Sequence, residues 1–346
     1  MLHLQWESNA LANATMLAAI PLLTLLLSPI SAYQQAPSQD LDDLVLELKQ
    51  RRHLKTQSSL LPVIVNPFTP LLLCDHHYGG SDDVFGSIQP GAEVAIKPLI
   101  AGNADKIEPC DIVCVNSNVF DSFVADVLPL IRANIILFTH RWCQPQVYKS
   151  AASDTVRSSP LIYHWFAQNP VYPEDDRYSA FPYGIRNGML EDFSNALLAY
   201  HDRHETQKNT TVEHLHLSSS HPSRKKLIDA GLVRGRRQMH GSKYYTRIGG
   251  AKFLISPRGD RPDTYRHWEA IGLGAIPIAN IDRSLYAPLF GDDMMYVNDT
   301  TTMLNMLDQP GALESKYHVP QSGRISTMFW ARRVRHQRRQ CKSERG

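Results

Sequence analysis

The sequence lacks several features that direct a protein to a common ligand. It has neither a G-x-G-x-x-G turn nor a P-loop, which argues against the usual nucleotide-binding Rossmann enzymes. Its formal net charge is only +2, so no overall charge draws the chain to nucleic acid or to an anionic membrane. It also lacks a repeat of fixed short period. We therefore predict no nucleic-acid partner.

Cysteine is scarce, and its spacing does not complete a metal site. The odd count of five leaves at least one thiol unpaired within the chain, and the sequence does not determine the connectivity. Cys110 and Cys114 lack a second cysteine pair or a suitably spaced histidine pair, so no zinc site is predicted. We interpret them as disulfide partners or buried thiols. The other cysteines are Cys74, Cys143 and Cys341.

The N-terminal region has an apolar segment without charge. Residues 16–27 are apolar, and no Lys or Arg precedes them, so flanking charge does not set an orientation. The length suits a signal peptide or a short signal anchor over residues 1–32, with an ordinary buried helix as the alternative. Glycosylation sequons at Asn209 and Asn298 agree with a lumenal protein. We expect the secretory lumen, either at a Golgi membrane or after secretion.

The rest of the chain has the composition of folded domains. With 346 residues and 43% hydrophobic content, it is long enough for two domains of ordinary size. Short apolar runs alternate with helical patterns, which predicts an α/β fold with parallel sheets and helices on both faces. The predicted elements of the first half are strands at Leu60–Val65, Leu71–Cys74, Ile112–Val115, Ile135–Phe138 and Leu161–Phe166, and a helix at Val119–Arg132.

Two successive Rossmann-like halves are the simplest interpretation of this alternation. Residues 33–58 are predicted to form a stem or a first helix, because Leu41, Leu44 and Leu48 recur at helical spacing. An N-terminal domain over 59–185 and a C-terminal domain over 186–322 would follow, with a hinge near 181–188. Residues 323–346 are assigned to a final helix and a basic tail.

The tail has a surplus of positive charge. This composition is typical of a solvated helix face and a frayed end, and contact with a membrane surface or an acidic glycan is the alternative. Its cations are Arg332, Arg333, Arg335, Arg338, Arg339, Lys342 and Arg345.

The segment Lys252–Asn280 carries the strongest pattern in the chain. Phe253–Ile255 is a short apolar run, Ser256–Gly259 breaks it, and Ala275–Ile278 resumes as a strand after a helical stretch. Such a βαβ unit places its loop and helix N-terminus at the carboxyl edge of a sheet, where phosphorylated ligands bind. The side chains brought to this edge include Arg258, Arg266 and Glu269.

The stretch SPRGDRPDTYRHWEAIGLGAIPI, which begins at Ser256, resembles the signature of exostosin-like glycosyltransferases. Weaker likeness extends through WFAQN at 165–169, FPYGIRN at 181–187 and the SSSHPSRKKL stretch. The resemblance implies a GT-B arrangement, in which two Rossmann-like domains face each other across a cleft. It also implies an acceptor-side N-terminal domain, a C-terminal domain for a nucleotide-sugar donor (UDP-linked), and no required metal.

The donor diphosphate needs cations. Arg258 and Arg266 flank the Pro-Gly loop, and Arg224 opens another helix, so these forked guanidinium groups are predicted to bind phosphates. Because the resemblance places an acid in the donor pocket, Glu269 is predicted to bind ribose hydroxyls. The alternative is a structural Arg266–Glu269 pair.

Other residues complete the predicted donor pocket. Asp263 is predicted first as a helix cap, with Thr264 as the alternative, and second as a donor-binding residue. Tyr265 can stack on a base, although a half-buried helix tyrosine is the commoner outcome. Ser220 and Asn187 are predicted to lie in the cleft, and Arg186 is an alternative to Asn187.

A catalytic base on the acceptor side is predicted at His140. It follows the apolar run Ile135–Phe138, and a polar residue just past a parallel strand lies at the ligand edge. A satisfied surface histidine is the alternative. Asp75, His76 and His77 follow another apolar run and are further candidates.

The sequence therefore predicts a lumenal glycosyltransferase that transfers a sugar from a nucleotide sugar to a glycan or glycoprotein. The competing hypothesis is a catalytically inactive glycan-binding or scaffold protein that retains the GT-B fold. Donor turnover distinguishes the two, because the inactive protein would bind acceptor alone.

Overall fold

The computed structural model describes residues 37–51, 63–79, 97–98, 101–140, 147–202, 208–232 and 241–345. The predicted signal segment, residues 60–62 of the first predicted strand, and Cys143 lie outside these ranges. Within them, no helix has both the length and the apolar character needed to cross a membrane.

The first half of the described chain contains a parallel sheet. Its strand order is β2-β1-β3-β4-β5-β6, and Val113 on β3 lies opposite Leu137 on β4. Strands β3 and β4 are buried along their whole length, as expected for apolar runs covered on both faces. The strands are β1 His76–Tyr78, β2 Lys97–Pro98, β3 Ile112–Asn116, β4 Ile135–His140, β5 Ile162–Gln168 and β6 Tyr178–Phe181.

The second half contains another parallel sheet, in the order β10-β9-β8-β7. Strands β8 and β9 belong to the predicted βαβ unit and pair with Phe253 opposite Ile276. The strands are β7 Thr210–Glu213, β8 Ala251–Ile255, β9 Ile276–Ala279 and β10 Met295–Tyr296. The predicted class, α/β with two parallel sheets in succession, is confirmed.

Helices surround both sheets. Between β3 and β4 the chain forms short 3-10, α and π turns, Ser117–Val119, Phe120–Ser122, Phe123–Val127 and Leu128–Leu130. The other helices are α1 Pro37–Arg51, α2 Ala151–Ser158, α3 Leu190–Asp202, α4 Pro222–Asp229, α5 Ser242–Gly249, α6 Tyr265–Gly272, α7 Arg283–Phe290, α8 Thr300–Leu307, α9 Pro310–Glu314 and α10 Thr327–Arg345.

The buried side chains form three clusters. The largest contains Phe138 and Phe181 of the first sheet together with Trp268 of α6 and Trp330 of α10, so the two halves share one core. A second cluster covers the other face of the first sheet, and a third covers the other face of the second sheet. Both sheets are therefore buried on both sides, which accounts for their continuous apolar strands.

Two predicted strands and one predicted helix are wrong. Ile64 forms only an isolated bridge with Ser326, and Leu71–Cys74 is replaced by a 3-10 turn, Thr69–Leu72. Pro70 explains this turn, because proline lacks the backbone donor of a strand and suits the first turn of a helix. The predicted helix Val119–Arg132 is divided into short turns, and Pro129 lies in the last of them.

Helix α1 packs into the protein, which favours a first helix over a stem. Leu44, Val45 and Leu48 are at most 3% exposed and belong to the largest core cluster. Lys49 forms an exposed ion pair of 2.9 Å with Asp202 of α3. Most of the stability of this contact comes from the buried leucines, since exposed ion pairs contribute little.

The predicted frayed tail is wrong, because α10 continues to Arg345 and contacts the first half. Cys341 forms a disulfide with Cys110, with a Cα–Cα distance of 5.9 Å. Cys114 is bonded to Cys74. Cys110 and Cys114 are thus disulfide-bonded, but not to each other. No periodicity in the sequence indicates either pairing.

Candidate functional site

A cavity of about 390 Å³ lies at the carboxyl edge of the second sheet. Its walls come from the segments that follow β7 and β8, from the turn at residues 186–189 directly before α3, and from helices α4, α5 and α6. This is the edge at which parallel α/β sheets bind ligands. The lining residues are Arg186, Met189, Leu215, His216, Ser218, Arg224, Tyr244, Asp260, Thr264, Tyr265, Arg266 and Glu269.

Arg224 is held rigidly in this cavity by the loop that follows β8. Its Nε donates to the carbonyl of Arg258 at 3.1 Å, and its Nη1 donates to Ser218 Oγ at 3.0 Å. Burial, together with the nearby charge of Arg266, lowers its pKa to about 10. Because that value remains far above neutral, Arg224 presents a fixed positive charge.

Gly259 provides the space for that guanidinium. A Cβ atom at this position would lie 2.6 Å from Nη2 of Arg224. The glycine of the predicted loop is therefore explained by the close approach of an arginine, not by its own contact with a phosphate.

Arg258 lies in the loop that holds Arg224, beside the cavity. Its backbone N–H donates to Asn280 Oδ1 at 3.1 Å, and its side chain is not among those that line the cavity. Asn280 also donates to Ser223 Oγ at 2.8 Å, so it ties the loop to α4. Asn280 was not among the predicted site residues, although its position as a polar residue directly after β9 was a signal for it.

Arg266 and Glu269 are connected through a tyrosine. The Tyr244 hydroxyl accepts from Arg266 Nε at 3.4 Å and donates to Glu269 Oε2 at 2.7 Å. The Tyr245 hydroxyl donates to Glu269 Oε1 at 3.3 Å. Burial raises the pKa of Glu269, while the hydrogen bond from Tyr244 and the charge of Arg266 oppose that rise. Neither tyrosine was among the predicted site residues, because α5 lacks a distinctive sequence pattern.

Several buried polar atoms of this cavity have no hydrogen-bond partner among the described residues. They are Thr264 Oγ1, Arg266 Nη1 and His216 Nδ1. Buried polar groups are normally paired, since an unpaired group loses its hydrogen bonds to water without replacement. An arginine nitrogen, a hydroxyl and an imidazole nitrogen around one cavity suit a polar, negatively charged ligand.

Only some of the remaining predicted cleft residues line the cavity. Tyr265 lines the cavity, its ring centroid lies 4.8 Å from that of Tyr183 with the planes tilted by 36°, and its hydroxyl donates to the Tyr183 hydroxyl. The cavity wall includes Arg186 and Ser218, not Asn187 and Ser220. Ser220 contacts the wall indirectly, since its hydroxyl lies 3.3 Å from that of Ser218.

Asp263 joins the two halves and does not line the cavity. It is fully buried and accepts from the backbone N–H of Tyr183 and from Trp268 Nε1, both at 2.7 Å. Burial raises its pKa to about 7, a value that already includes the opposing effect of these hydrogen bonds. Thr264, not Asp263, is the N-cap residue of α6.

The ring of His267 lies beside Asp263 without forming an ion pair with it. The Nδ1 atom is 3.9 Å from the carboxylate, but burial lowers the pKa of His267 to about 3. The ring is neutral, and its Nε2 bonds to the Ser256 carbonyl at 2.9 Å. Both residues therefore support the loop and helix that form the site.

His140 is the last residue of β4 and lies at the carboxyl edge of the first sheet, as predicted. It does not line the cavity of the second sheet. Its ring lies 5.3 Å from that of His77, and both Nε2 atoms are buried without a partner among the described residues. Burial lowers the pKa of His140 well below its ordinary value and that of His77 to about 4, so both rings are neutral near pH 7.

Metal-ligating side chains do not gather at this site. Among the described residues, no group of three or more His, Cys, Asp or Glu is placed to hold a metal ion. The cationic groups of the cavity are instead arginines.

Comparisons with known proteins give only distant structural similarity. No family model matches the chain, and no curated protein matches it. It is similar to a structure titled "Crystal Structure of alpha1,3-Fucosyltransferase", with 10% identity, coverage of 73% of this chain and 88% of the other, and a TM-score of 0.39. It is also similar to one titled "Crystal structure of GtfA/B complex", with 10% identity, coverage of 67% and 58%, and a TM-score of 0.31.

Proposed function

We propose that this chain is a glycosyltransferase of exostosin-like type. It transfers a sugar from a UDP-linked donor to a glycan or glycoprotein acceptor in the secretory pathway. The observation that carries the proposal is the convergence of Arg186, Arg224 and Arg266 with the buried carboxyl group of Glu269 on one cavity. The N-terminal apolar segment supports the lumenal location, as a signal anchor or a cleaved signal.

The arginines suit the leaving group of this reaction. The bond between the sugar C1 and the β-phosphate oxygen breaks, a bond from C1 to the acceptor oxygen forms, and negative charge develops on the released nucleoside diphosphate. Arg224 and Arg266 present guanidinium forks that can bind phosphate oxygens in pairs. Stabilisation of the developing charge by fixed donors is usually the largest electrostatic contribution to such catalysis.

Glu269 suits the hydroxyl groups of the donor. Each carboxylate oxygen of Glu269 accepts one hydrogen bond, Oε2 from Tyr244 and Oε1 from Tyr245. Each oxygen can accept a further hydrogen bond, and Glu269 lines the cavity in which a ligand would donate it. A carboxylate can accept hydrogen bonds from ribose or sugar hydroxyls. The cavity volume of about 390 Å³ lies within the usual range for small-molecule sites, roughly 300–1,000 Å³.

His140 is proposed as the base that accepts the proton of the acceptor hydroxyl. Its neutral ring and its unpartnered Nε2 support this role, because a base must be unprotonated and have an available lone pair. His77 lies beside it and is proposed to orient the ring or the acceptor.

The proposed donor site is tested by thermal-shift measurements and donor hydrolysis with UDP, UDP-sugars and the corresponding GDP and CMP compounds. Glu269→Gln keeps the shape of the side chain and removes its charge, and the exposed Glu191→Gln is the matched control. We expect stabilisation of the wild type and of the control by UDP-sugars, and its loss in Glu269→Gln.

Two results would contradict the proposal. A folded wild type that binds no nucleotide sugar would favour the inactive glycan-binding protein. Equal donor binding by the wild type and Glu269→Gln would remove the proposed role of Glu269.

A further inference from the structure

The cations of α10 divide into those that pair with acidic side chains and those that do not, and Arg332, 3.9 Å from Asp43 of α1, belongs to the first set. Arg338 forms ion pairs of 2.9 Å with Asp75 and 3.4 Å with Asp111, and Arg333 pairs with Glu174. These residues fasten the helix to the first half of the chain. Their role is structural, since each is partly buried against its acidic partner.

Arg335, Arg339 and Lys342 form an exposed set, which we call the basic stripe. Their spacing of four and three residues places them on one face of the helix, over about 10 Å of its length. The described part of the chain puts no acidic side chain in an ion pair with any of the three. Glu344 follows Lys342 by two residues, a spacing that turns it away from this face.

The basic stripe and the donor cavity lie at different edges of the two sheets. Asp75 and Asp111 immediately precede β1 and β3, so the end of α10 contacts the amino edge of the first sheet. The cavity lies at the carboxyl edge of the second sheet. The stripe is therefore separate from the donor cavity.

We propose that the basic stripe binds an acidic polysaccharide outside the donor cavity. Three cations in a line, with no acidic partner in the described part of the chain, match the repeated negative charges of a sulfated or carboxylated glycan chain, and neutralising such a polyanion releases its counterions. The choice of a glycan over other polyanions rests on the proposed function, since a long acidic acceptor bound here would be held to the enzyme between transfer steps.

The composition of α10 argues against a membrane as the occupant. Membrane-surface helices carry large apolar side chains beside their cations. On α10 the exposed large apolar side chain among the described residues is Met328, the second residue of the helix and two turns before Arg335. The stripe itself has no aromatic residue on which single-stranded bases would stack.

The test is the affinity of the purified full chain for a size-defined heparin decasaccharide at two salt concentrations. The stripe variant combines Arg335→Gln, Arg339→Gln and Lys342→Gln. The control variant removes the same charge from exposed lysines elsewhere, Lys106→Gln, Lys149→Gln and Lys316→Gln. UDP-sugar binding is measured on all three proteins, which separates this proposal from the proposed donor site.

We expect the stripe variant to bind the decasaccharide about 10- to 100-fold more weakly, with a smaller salt dependence, and to keep its donor binding. The control variant should change less than about twofold. Absence of heparin binding by the wild type, or equal losses in both variants, would overturn the proposal. Tighter binding to a DNA duplex or to phosphatidylserine vesicles than to heparin would overturn the choice of a glycan.

Discussion

The hydroxyl of Tyr244 donates a 2.7 Å hydrogen bond to Oε2 of Glu269, deep in the cavity of the second sheet. The same hydroxyl accepts from Arg266, so it places a cation and a carboxyl group at a set distance without direct contact between them. The two residues are 25 positions apart, on different helices. Packing of α5 against α6 therefore determines the polarity of the site.

Tyr244→Phe is expected to weaken donor binding more than folding. The change removes the hydrogen bond that lowers the pKa of Glu269, so that pKa should rise, and a larger fraction of the side chain should be protonated and lose acceptor capacity. We expect about a tenfold loss of UDP-sugar affinity by calorimetry, with a loss of stability of about 1 kcal/mol. Tyr148→Phe, on the surface, is the control and should change neither value. Unchanged affinity in Tyr244→Phe would mean that this hydroxyl does not set the properties of Glu269.

Gly259→Ala is expected to displace Arg224. The new Cβ atom would lie 2.6 Å from Nη2 of Arg224, whose guanidinium is held by carbonyl and hydroxyl acceptors and cannot move without losing them. We expect donor affinity to fall about 10- to 100-fold, because a charge-assisted contact to phosphate is lost. Gly311→Ala is the matched control, since a Cβ atom there meets nothing within 4 Å. Retained donor affinity in Gly259→Ala would show that Arg224 does not contact the donor.

His140→Ala is expected to reduce turnover by a factor of about 10²–10⁴ while UDP-sugar binding is retained. Burial keeps the pKa of His140 well below its ordinary value of 6.5, so the wild-type rate should not decrease between pH 8 and pH 6.5. The test is the pH profile of turnover, measured for the wild type and for His140→Ala. Normal turnover of His140→Ala would exclude His140 as the base, and a wild-type rate that halves near pH 6.5 would contradict the lowered pKa.

The Asp263 carboxyl group is expected to make the protein less stable as the pH rises through its folded pKa. Its pKa of about 7 in the folded protein exceeds the ordinary value of 3.8, so folding takes up a proton between these two values. The contribution to stability is complete below pH 3.8 and is lost as the pH rises to 7, at up to about 1.4 kcal/mol per pH unit.

Chemical denaturation at several pH values, with Asp263→Asn as the comparison, measures this contribution. The free energy of unfolding of the wild type minus that of the variant should decrease from pH 4 to pH 7. The variant itself should lose about 1–3 kcal/mol, since an amide accepts only one of the two hydrogen bonds well. The exposed Asp121→Asn is the control and should show no such slope relative to the wild type. A constant difference between the wild type and Asp263→Asn would show that Asp263 is ionised throughout.

Much of the secondary structure was predictable because it depends on local pattern. The apolar runs of β3, β4 and β5 and the βαβ unit of β8, α6 and β9 were predicted from composition and breaker residues alone. The βαβ pattern also predicted that Arg266, Tyr265 and Glu269 line one cavity, because such a unit places the N-terminus of its helix at the carboxyl edge of the sheet. Prediction failed at Leu71–Cys74, where Pro70 favoured a 3-10 turn over the strand that the apolar run suggested.

The parallel α/β class and the segment at the carboxyl edge of the second sheet follow from the local sequence, since strand and helix periods are properties of neighbouring residues. Which distant groups meet follows from the tertiary fold. It placed Tyr244 beside Glu269, Asp263 against the backbone of Tyr183, and Cys341 against Cys110. Such contacts depend on sheet order and helix packing, so local pattern carries no information about them.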